Sequence, residues 1–334
     1  MMDTATDTCL DPLAPLAACR LCPRSCAVDR LCGRRGYCGA GVRPRVFRHG
    51  PHFGEEPPLS GTRGSGAVFF SHCTMRCIYC QNYPWSRQAQ GEDLEPSQLT
   101  AIFRQLAETG CHNWNLVSPT PWLPQIRAAL TPLFRDGIRL PILYNSSGFE
   151  SPETLASFRD LADIALVDLR YAAGDTAAGA SDCPGYVAAS QATLEWFWQN
   201  LGPLRTTADG VAVRGVICRI LVLPGHADEA VANLHWLADR IGTDVHLSVM
   251  SQYTPVYGAL REAGWNRRIT ADEYGRVRAA VEELGFGCGW VQELEEGVFP
   301  ADLLGCNMPA GEAEVGRKPA DTANGNDAAN ARRT

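Results

Sequence analysis

The strongest constraint on this chain is an alternation of short apolar runs with amphipathic stretches, repeated six times between residues 67 and 284. A short apolar run bounded by turn signals reads as a buried strand, whereas apolar residues recurring every three or four positions read as a helix lying on a core. Ala67–Phe70, Asn115–Val117, Leu140–Tyr144, Ile164–Leu169, Val216–Leu223 and Val245–Met250 have the first character. Helical stretches follow them near 97–108, 123–135, from Pro152 behind Ser151 as N-cap, then 186–200, 228–240 and 271–284. Gly289–Leu294 adds an edge strand. Such repeats with short connections predict a parallel sheet with its helices outside. The fold class is therefore α/β, and the periodicity admits either a partial (β/α)6 barrel or a doubly wound sheet. In both, ligand-contacting side chains belong at the carboxyl ends of the strands.

Around that core the composition shifts. Residues 1–18 read as a flexible leader, 19–60 as a Cys-rich metal-binding segment, 61–300 as the strand–helix domain, and 307–334 as a small, polar, disordered tail. Between Cys19 and Arg48 eight arginines face the single acid Asp29, with too few large apolar residues for a separate core. A metal must organise that segment, or it must pack on its neighbour. A net charge of −7 argues against a polyanion partner for the molecule as a whole, and arginines without interleaved aromatic platforms are a weak RNA signal. No apolar run approaches the ~20 residues that span a bilayer, so no membrane partner is expected. Leu16-Ala-Ala-Cys19 looks like a lipoprotein cleavage box. Asp3, Asp7, Asp11, Pro12 and Pro15 precede it without a cationic start, so a cytoplasmic location is expected.

In a reducing compartment, clustered cysteines more often ligate metals or react than form disulfides. Of fourteen cysteines, Cys73, Cys77 and Cys80 form one group directly after the first strand. Iron–sulfur clusters take thiolates at such close spacing; a cubane needs four ligands, so three leave one iron open to a small molecule. A three-cysteine zinc site and accidental clustering are the alternatives, although zinc wants a fourth nearby ligand and His72 is adjacent to one already. Cys19-x2-Cys22-x3-Cys26, followed by Cys32 and Cys38, supplies enough thiolates for a closed site holding zinc or a second [4Fe–4S] cluster. Free thiols on a disordered arm are the third reading. Cys9, Cys111, Cys183, Cys218, Cys288 and Cys306 read as small buried hydrophobes or surface thiols. Gly61-x-x-Gly-x-Gly66 precedes a strand, where a dinucleotide fingerprint would follow one. His49, His52, Glu55 and Glu56 could ligate a metal but are expected in a mobile solvated lid over the site, and Trp114, Trp122 and Trp290 in the core or pocket lining.

The C-x3-C-x2-C pattern, with Tyr79 before its last cysteine, resembles the radical S-adenosylmethionine (SAM) superfamily. More narrowly, Cys19-Arg-Leu-Cys-Pro-Arg-Ser-Cys26, Gly54-Glu-Glu-Pro-Pro-Leu-Ser-Gly61 and Cys80-Gln-Asn-Tyr83 resemble its pyruvate formate-lyase activating enzyme-like branch, the likeness running from Cys19 to Leu294. The resemblance implies a partial (β/α)6 barrel and an oxidoreductase. Its [4Fe–4S] cluster would sit on Cys73, Cys77 and Cys80, bind SAM at the open iron and draw on a reductant such as flavodoxin or ferredoxin. One electron would split SAM into methionine and a 5′-deoxyadenosyl radical that takes hydrogen from a protein, peptide or metabolite. Position by position, Tyr79 would pack on adenine. Ser118 and Thr120, standing where the superfamily has a glycine-rich segment, would hold the SAM amino group. Asp168 would take the methionyl ammonium, Arg170 a carboxylate, and His226 the nucleoside. Caps and pairs that stabilise the fold would use Asp168, Arg170 and His226 equally well. Cys19, Cys22, Cys26 and Cys38 would form one site, Cys32 being extra. Two further functions are compatible: cluster-dependent group transfer from SAM to RNA or protein, and a non-catalytic iron–sulfur or zinc protein that carries electrons or scaffolds a complex.

Overall fold

Among the described residues ten strands form, and the long ones bury the apolar runs read from the sequence. They are β1 (Arg45–His52), β2 (Ser65–Phe70), β3 (Glu92–Asp93), β4 (Trp114–Val117), β5 (Ile142–Ser146), β6 (Ile164–Asp168), β7 (Arg205–Thr206), β8 (Ala212–Leu221), β9 (His246–Met250) and β10 (Gly289–Val291). The helices are α1 (Pro57–Ser60), α2 (Tyr83–Ser86), α3 (Pro96–Glu108), α4 (Leu123–Arg135), α5 (Pro152–Ser157), α6 (Gly174–Ser181), α7 (Tyr186–Leu201), α8 (Ala227–Arg240) and α9 (Ala271–Glu283). The structure, a computed structural model, describes residues 11–294. The first ten residues of the expected leader and the expected tail at 307–334 lie outside them.

The sheet runs β10-β9-β8-β6-β5-β4-β2-β1-β3, with β7 paired to β8. From β2 to β10 the neighbours on this path are parallel, while β1 pairs antiparallel with β2 and β3 with β1. From β2 to β10 strand order follows chain order without a reversal, only β1 and β3 falling outside it, which excludes the doubly wound alternative, where the order turns back at a switch point. Among the described residues the end strands β3 and β10 do not pair with each other, so the sheet is an open arc.

Side chains alternate across this arc. One face, with Val68, Phe70, Leu116, Ala165, Val167, Cys218 and Ile220, joins the apolar faces of α3, α4, α7, α8 and α9 in one large core. The inner face carries Leu143, Ile164, Leu166 and Ile217, packed on Leu59 of α1. Two positions further along the same strands it turns polar, at Asn145, Asp168 and Arg219. The amino end of the inner face is thus an apolar floor and the carboxyl end a polar chamber.

Three departures from expectation have local causes. Residues 11–18 do not continue the expected flexible leader: Ala14–Ala18 form a 3-10 turn that buries Leu16 completely. β1 lies within the expected Cys-rich segment 19–60, where no strand was expected; Arg45 and Arg48 interrupt its alternation, and Pro51 sits in a strand whose partners on both sides are antiparallel. α6 is built from Gly, Ala and Ser and lacks the apolar stripe that reveals a helix. Among the described residues no helix is long and apolar enough to cross a membrane.

Candidate functional site

The chain leaves β2 through His72, whose φ of +70° turns it sharply into the loop that bears Cys73, Cys77 and Cys80. Backbone bonds pin this loop to the end of α6: Arg76 N–H donates to Ser181 O at 3.0 Å and Ile78 N–H to Ala180 O at 2.9 Å. Each sulfur has a polar neighbour. Cys77 Sγ accepts from Ser181 Oγ at 2.9 Å and from an Arg170 guanidinium nitrogen at 3.2 Å. Cys73 Sγ accepts the Met75 N–H at 3.4 Å, and Cys80 Sγ lies 3.2 Å from Ser86 Oγ. Burial pushes the Cys80 thiol up to about 11 and raises Cys73 as well, in both cases with help from Cys77.

Beside this loop a polar cavity of about 190 Å³ opens at the carboxyl ends of β4, β5, β6, β8 and β9. Ser118, held at φ +58°, lines it with Asn145, Gln252, Asp168 and Arg170. Arg170 Nε pairs with Asp168 Oδ2 at 3.1 Å, so one guanidinium joins a carboxylate to the Cys77 sulfur. Arg219 closes the floor against Glu55 and Glu56, the latter at 2.7 Å. Asn115 and Asn145 donate their amides to Glu55 Oε1 at 2.8 and 3.2 Å. Burial opposes ionisation of Glu55, but the Arg219 guanidinium outweighs it and holds the carboxyl below its ordinary value. The expected mobile lid is therefore not one: Glu55 and Glu56 are buried inside the arc because an inward-facing arginine demands countercharge.

Three expected ligand contacts sit elsewhere. Tyr79 is buried, its ring parallel to Trp265 at a centroid distance of 5.4 Å, so that face is already covered. Thr120 Oγ1 turns away from the cavity to donate to Glu150 at 2.8 Å. Glu150 itself is buried and also receives Ser146 and Tyr144; burial outweighs these donors and pushes it up to about 7. His226 caps α8, pairs with Glu229 at 3.0 Å and packs on Trp265.

Cys19, Cys22, Cys26 and Cys38 line one small pocket of about 20 Å³, with Cys32 exposed outside it. Their segment docks directly on the first loop. The His72 ring lies 3.0 Å from Cys38 O, and Arg24 donates to Thr74 O at 3.1 Å. Burial pushes the Cys22 thiol up to about 12. Among the described residues no three His, Cys, Asp or Glu side chains are drawn together tightly enough to form a coordination sphere as they stand. Both thiol sets converge without closing.

No family model matches this chain. It is similar to a Methanocaldococcus jannaschii protein described only as uncharacterized, at 24% identity over 275 residues, covering 79% of this chain and 74% of that one. Among solved structures it is similar to HydG, a maturase of the [FeFe]-hydrogenase, at a TM-score of 0.43 and 14% identity, over 64% of this chain. The chain spans about half of HydG, 47% of its length.

The sequence reading missed the residues that hold the site together across long separations: Arg219 with Glu55 and Glu56, Ser181 on Cys77, and Trp265 on Tyr79. Only the first left a signal. A lone arginine at an inward position of the apolar run Val216–Leu223 requires buried carboxylates, and the adjacent Glu55 and Glu56, expected in a solvated lid, were available to meet it.

Proposed function

We propose that this chain is an enzyme of the radical SAM superfamily, of the activating-enzyme-like branch, holding a [4Fe–4S] cluster on Cys73, Cys77 and Cys80. The observation that carries this reading is the placement of three closely spaced thiols at the carboxyl end of β2, beside a polar cavity. Sulfurs met by hydroxyl, amide and guanidinium groups suit thiolates, and buried thiols whose protons are otherwise held tightly are deprotonated outright by a coordinating metal. Once bound, such a cluster supplies one electron to SAM, releasing methionine and a 5′-deoxyadenosyl group able to take hydrogen from a substrate.

This chain's own residues would do the holding. Asp168 offers a carboxylate to the methionyl ammonium, Arg170 a guanidinium to its carboxylate, and Ser118, Asn145 and Gln252 neutral partners around them. Tyr79, Thr120 and His226 support the walls in this assignment. A second metal centre on Cys19, Cys22, Cys26 and Cys38 belongs to the same reading. It draws support from Arg30, which is 1% exposed and, among the described residues, donates to the carbonyls of Gly41 and Pro121 and, at 3.7 Å, to Cys19 Sγ. A buried guanidinium without a carboxylate partner is costly unless negative charge lies close by, and thiolates on a metal provide it.

Anaerobic reconstitution tests the proposal. The loaded protein should show an electron paramagnetic resonance signal that changes on addition of SAM, and should form 5′-deoxyadenosine with dithionite; Cys77→Ala should abolish both. A signal indifferent to SAM, with no 5′-deoxyadenosine, would reject the enzyme in favour of an electron carrier or scaffold, and S-adenosylhomocysteine as main product would indicate group transfer. Counting iron and zinc in a Cys19→Ala/Cys22→Ala variant identifies the metal at the second site.

A further inference from the structure

A ladder of buried hydroxyls ends on the Cys77 sulfur. Tyr79 Oη lies 2.5 Å from Tyr171 Oη, Tyr171 Oη lies 2.5 Å from Ser181 Oγ, and Ser181 Oγ donates to Cys77 Sγ at 2.9 Å. Tyr79, Tyr171, Ser181 and Cys77 are 4%, 0%, 0% and 5% exposed, so water does not substitute for any rung. The three residues come from the cysteine loop, the segment after β6 and the last position of α6, which makes the ladder a tertiary feature rather than a by-product of one turn.

Proton counting fixes its direction. A hydroxyl carries one proton. Ser181 spends its proton on the sulfur, so Tyr171 must donate to Ser181, and Tyr79 in turn must donate to Tyr171. All three O–H dipoles then point toward Cys77, and aligned hydrogen bonds polarise and strengthen one another in a low-dielectric interior. Arg170 adds a charged donor to the same sulfur at 3.2 Å.

We propose that the hydroxyls of Tyr79, Tyr171 and Ser181 form a tuning ladder that raises the reduction potential of the iron–sulfur centre held at Cys77. Hydrogen bonds to cluster sulfurs are one of the protein's levers on potential: reduction adds negative charge, and donors aimed at the sulfur stabilise it. The inference rests on the reading that Cys73, Cys77 and Cys80 hold the cluster. The three side chains are positioning residues, acting on the cluster through one ligand without touching a substrate.

The test is potentiometric titration of the reconstituted protein, following the reduced-cluster resonance as dithionite and mediators set the potential. Ser181→Ala removes the last rung and should lower the reduced-to-oxidised ratio at a fixed potential about tenfold, a shift of about 59 mV to more negative values for one electron. Tyr171→Phe keeps the Ser181 donor but loses its polarising neighbour, so its shift should have the same sign and be smaller. Tyr79→Phe should be smaller again, while cluster content stays at the wild-type level in all three. A loaded wild type whose three variants share its midpoint potential overturns the ladder and leaves the cluster assignment standing. A wild type that takes up no iron on Cys73, Cys77 and Cys80 overturns both. Should Ser181→Ala fail to fold, Tyr171→Phe decides alone, since it deletes one oxygen and keeps the ring packed edge-on against Tyr186.

Discussion

Replacing Arg219 with methionine probes the charged floor of the cavity directly. The Arg219 side chain is 16% exposed, and its partners Glu55 and Glu56 are 7% and 5% exposed. Methionine fills much of the same volume but leaves two buried carboxylates facing each other. Removing one partner of a buried ion pair costs about 3–5 kcal/mol, because the remaining charge stays buried without compensation. Glu55 retains the amides of Asn115 and Asn145, which places the expected loss near the lower limit, about 3 kcal/mol.

The pH dependence should invert. In the wild type, burial opposes Glu55 ionisation, but Arg219 wins and holds the folded-state value below the ordinary 4.5. That contribution is fully present above the unfolded value and is lost as pH falls through the folded one. Without Arg219, burial governs, the folded value rises above the unfolded one, and stability is instead lost as pH climbs past about 4.5. Urea unfolding of anaerobic protein, followed by circular dichroism, should therefore show a deficit of about 3 kcal/mol near pH 7 that shrinks toward pH 5. Adding Glu55→Gln and Glu56→Gln to Arg219→Met should recover at least half of it, since an uncharged trio can replace a buried ionic one at little cost. A single variant within about 1 kcal/mol of wild type at neutral pH, or a deficit equal at both pH values, would refute the reasoning.

Two further perturbations test the surroundings. Gly148 has a φ of +82°, and a Cβ there would lie 2.3 Å from Asp168 O; Gly148→Ala should destabilise the fold by about 2 kcal/mol or more and weaken SAM binding through displacement of Asp168, and an unchanged unfolding midpoint would contradict this. Glu229 accepts the Ala172 and Ala173 N–H groups at 2.9 Å; burial works against its ionisation, but the donors, His226 first, hold it down at about 2. Its contribution is complete above about pH 4.5 and is lost toward pH 2, worth about 1–2 kcal/mol once solvent screening of this partly exposed group is allowed for, so Glu229→Gln should flatten the stability profile across that window.

What the sequence disclosed and what it withheld divide along the range of the forces involved. The parallel sheet and its helices were legible because each repeat declares itself locally: residues 164–167 are apolar on both faces, and the expected helix at 123–135 is α4 residue for residue. β1 and α6 escaped because arginines and small residues blur the period. Within the site, the thiol spacing is a local signal, whereas the orientation of each side chain is settled by partners far along the chain. Ser181 stands 104 residues from Cys77 and Arg219 stands 164 from Glu55. Thr120 matches a ligand position by sequence, yet the buried carboxylate of Glu150 claims its hydroxyl.

The inner face of the arc is stratified along the strand axis, and the order of its layers bears on the ligand. At the amino ends, Leu59 plugs a floor of Leu143, Ile164, Leu166 and Ile217. Beyond it stand Glu55, Glu56 and Arg219, with Asp168 level with Arg219 across the β6–β8 pair and Arg170 following it. Because Arg219 is already matched by two carboxylates, it offers little net positive charge to a ligand in the cavity it lines. Counted together, three carboxylates against two guanidiniums leave the chamber with one net negative charge. A buried charge of that sign is tolerated when a cation completes it, and a sulfonium amino acid, with two positive groups and one carboxylate, carries a single net positive charge. A dinucleotide or another phosphate ester would meet repulsion from the same walls. The charge balance of the cavity is thus compatible with the proposed SAM site on grounds separate from the cysteine spacing.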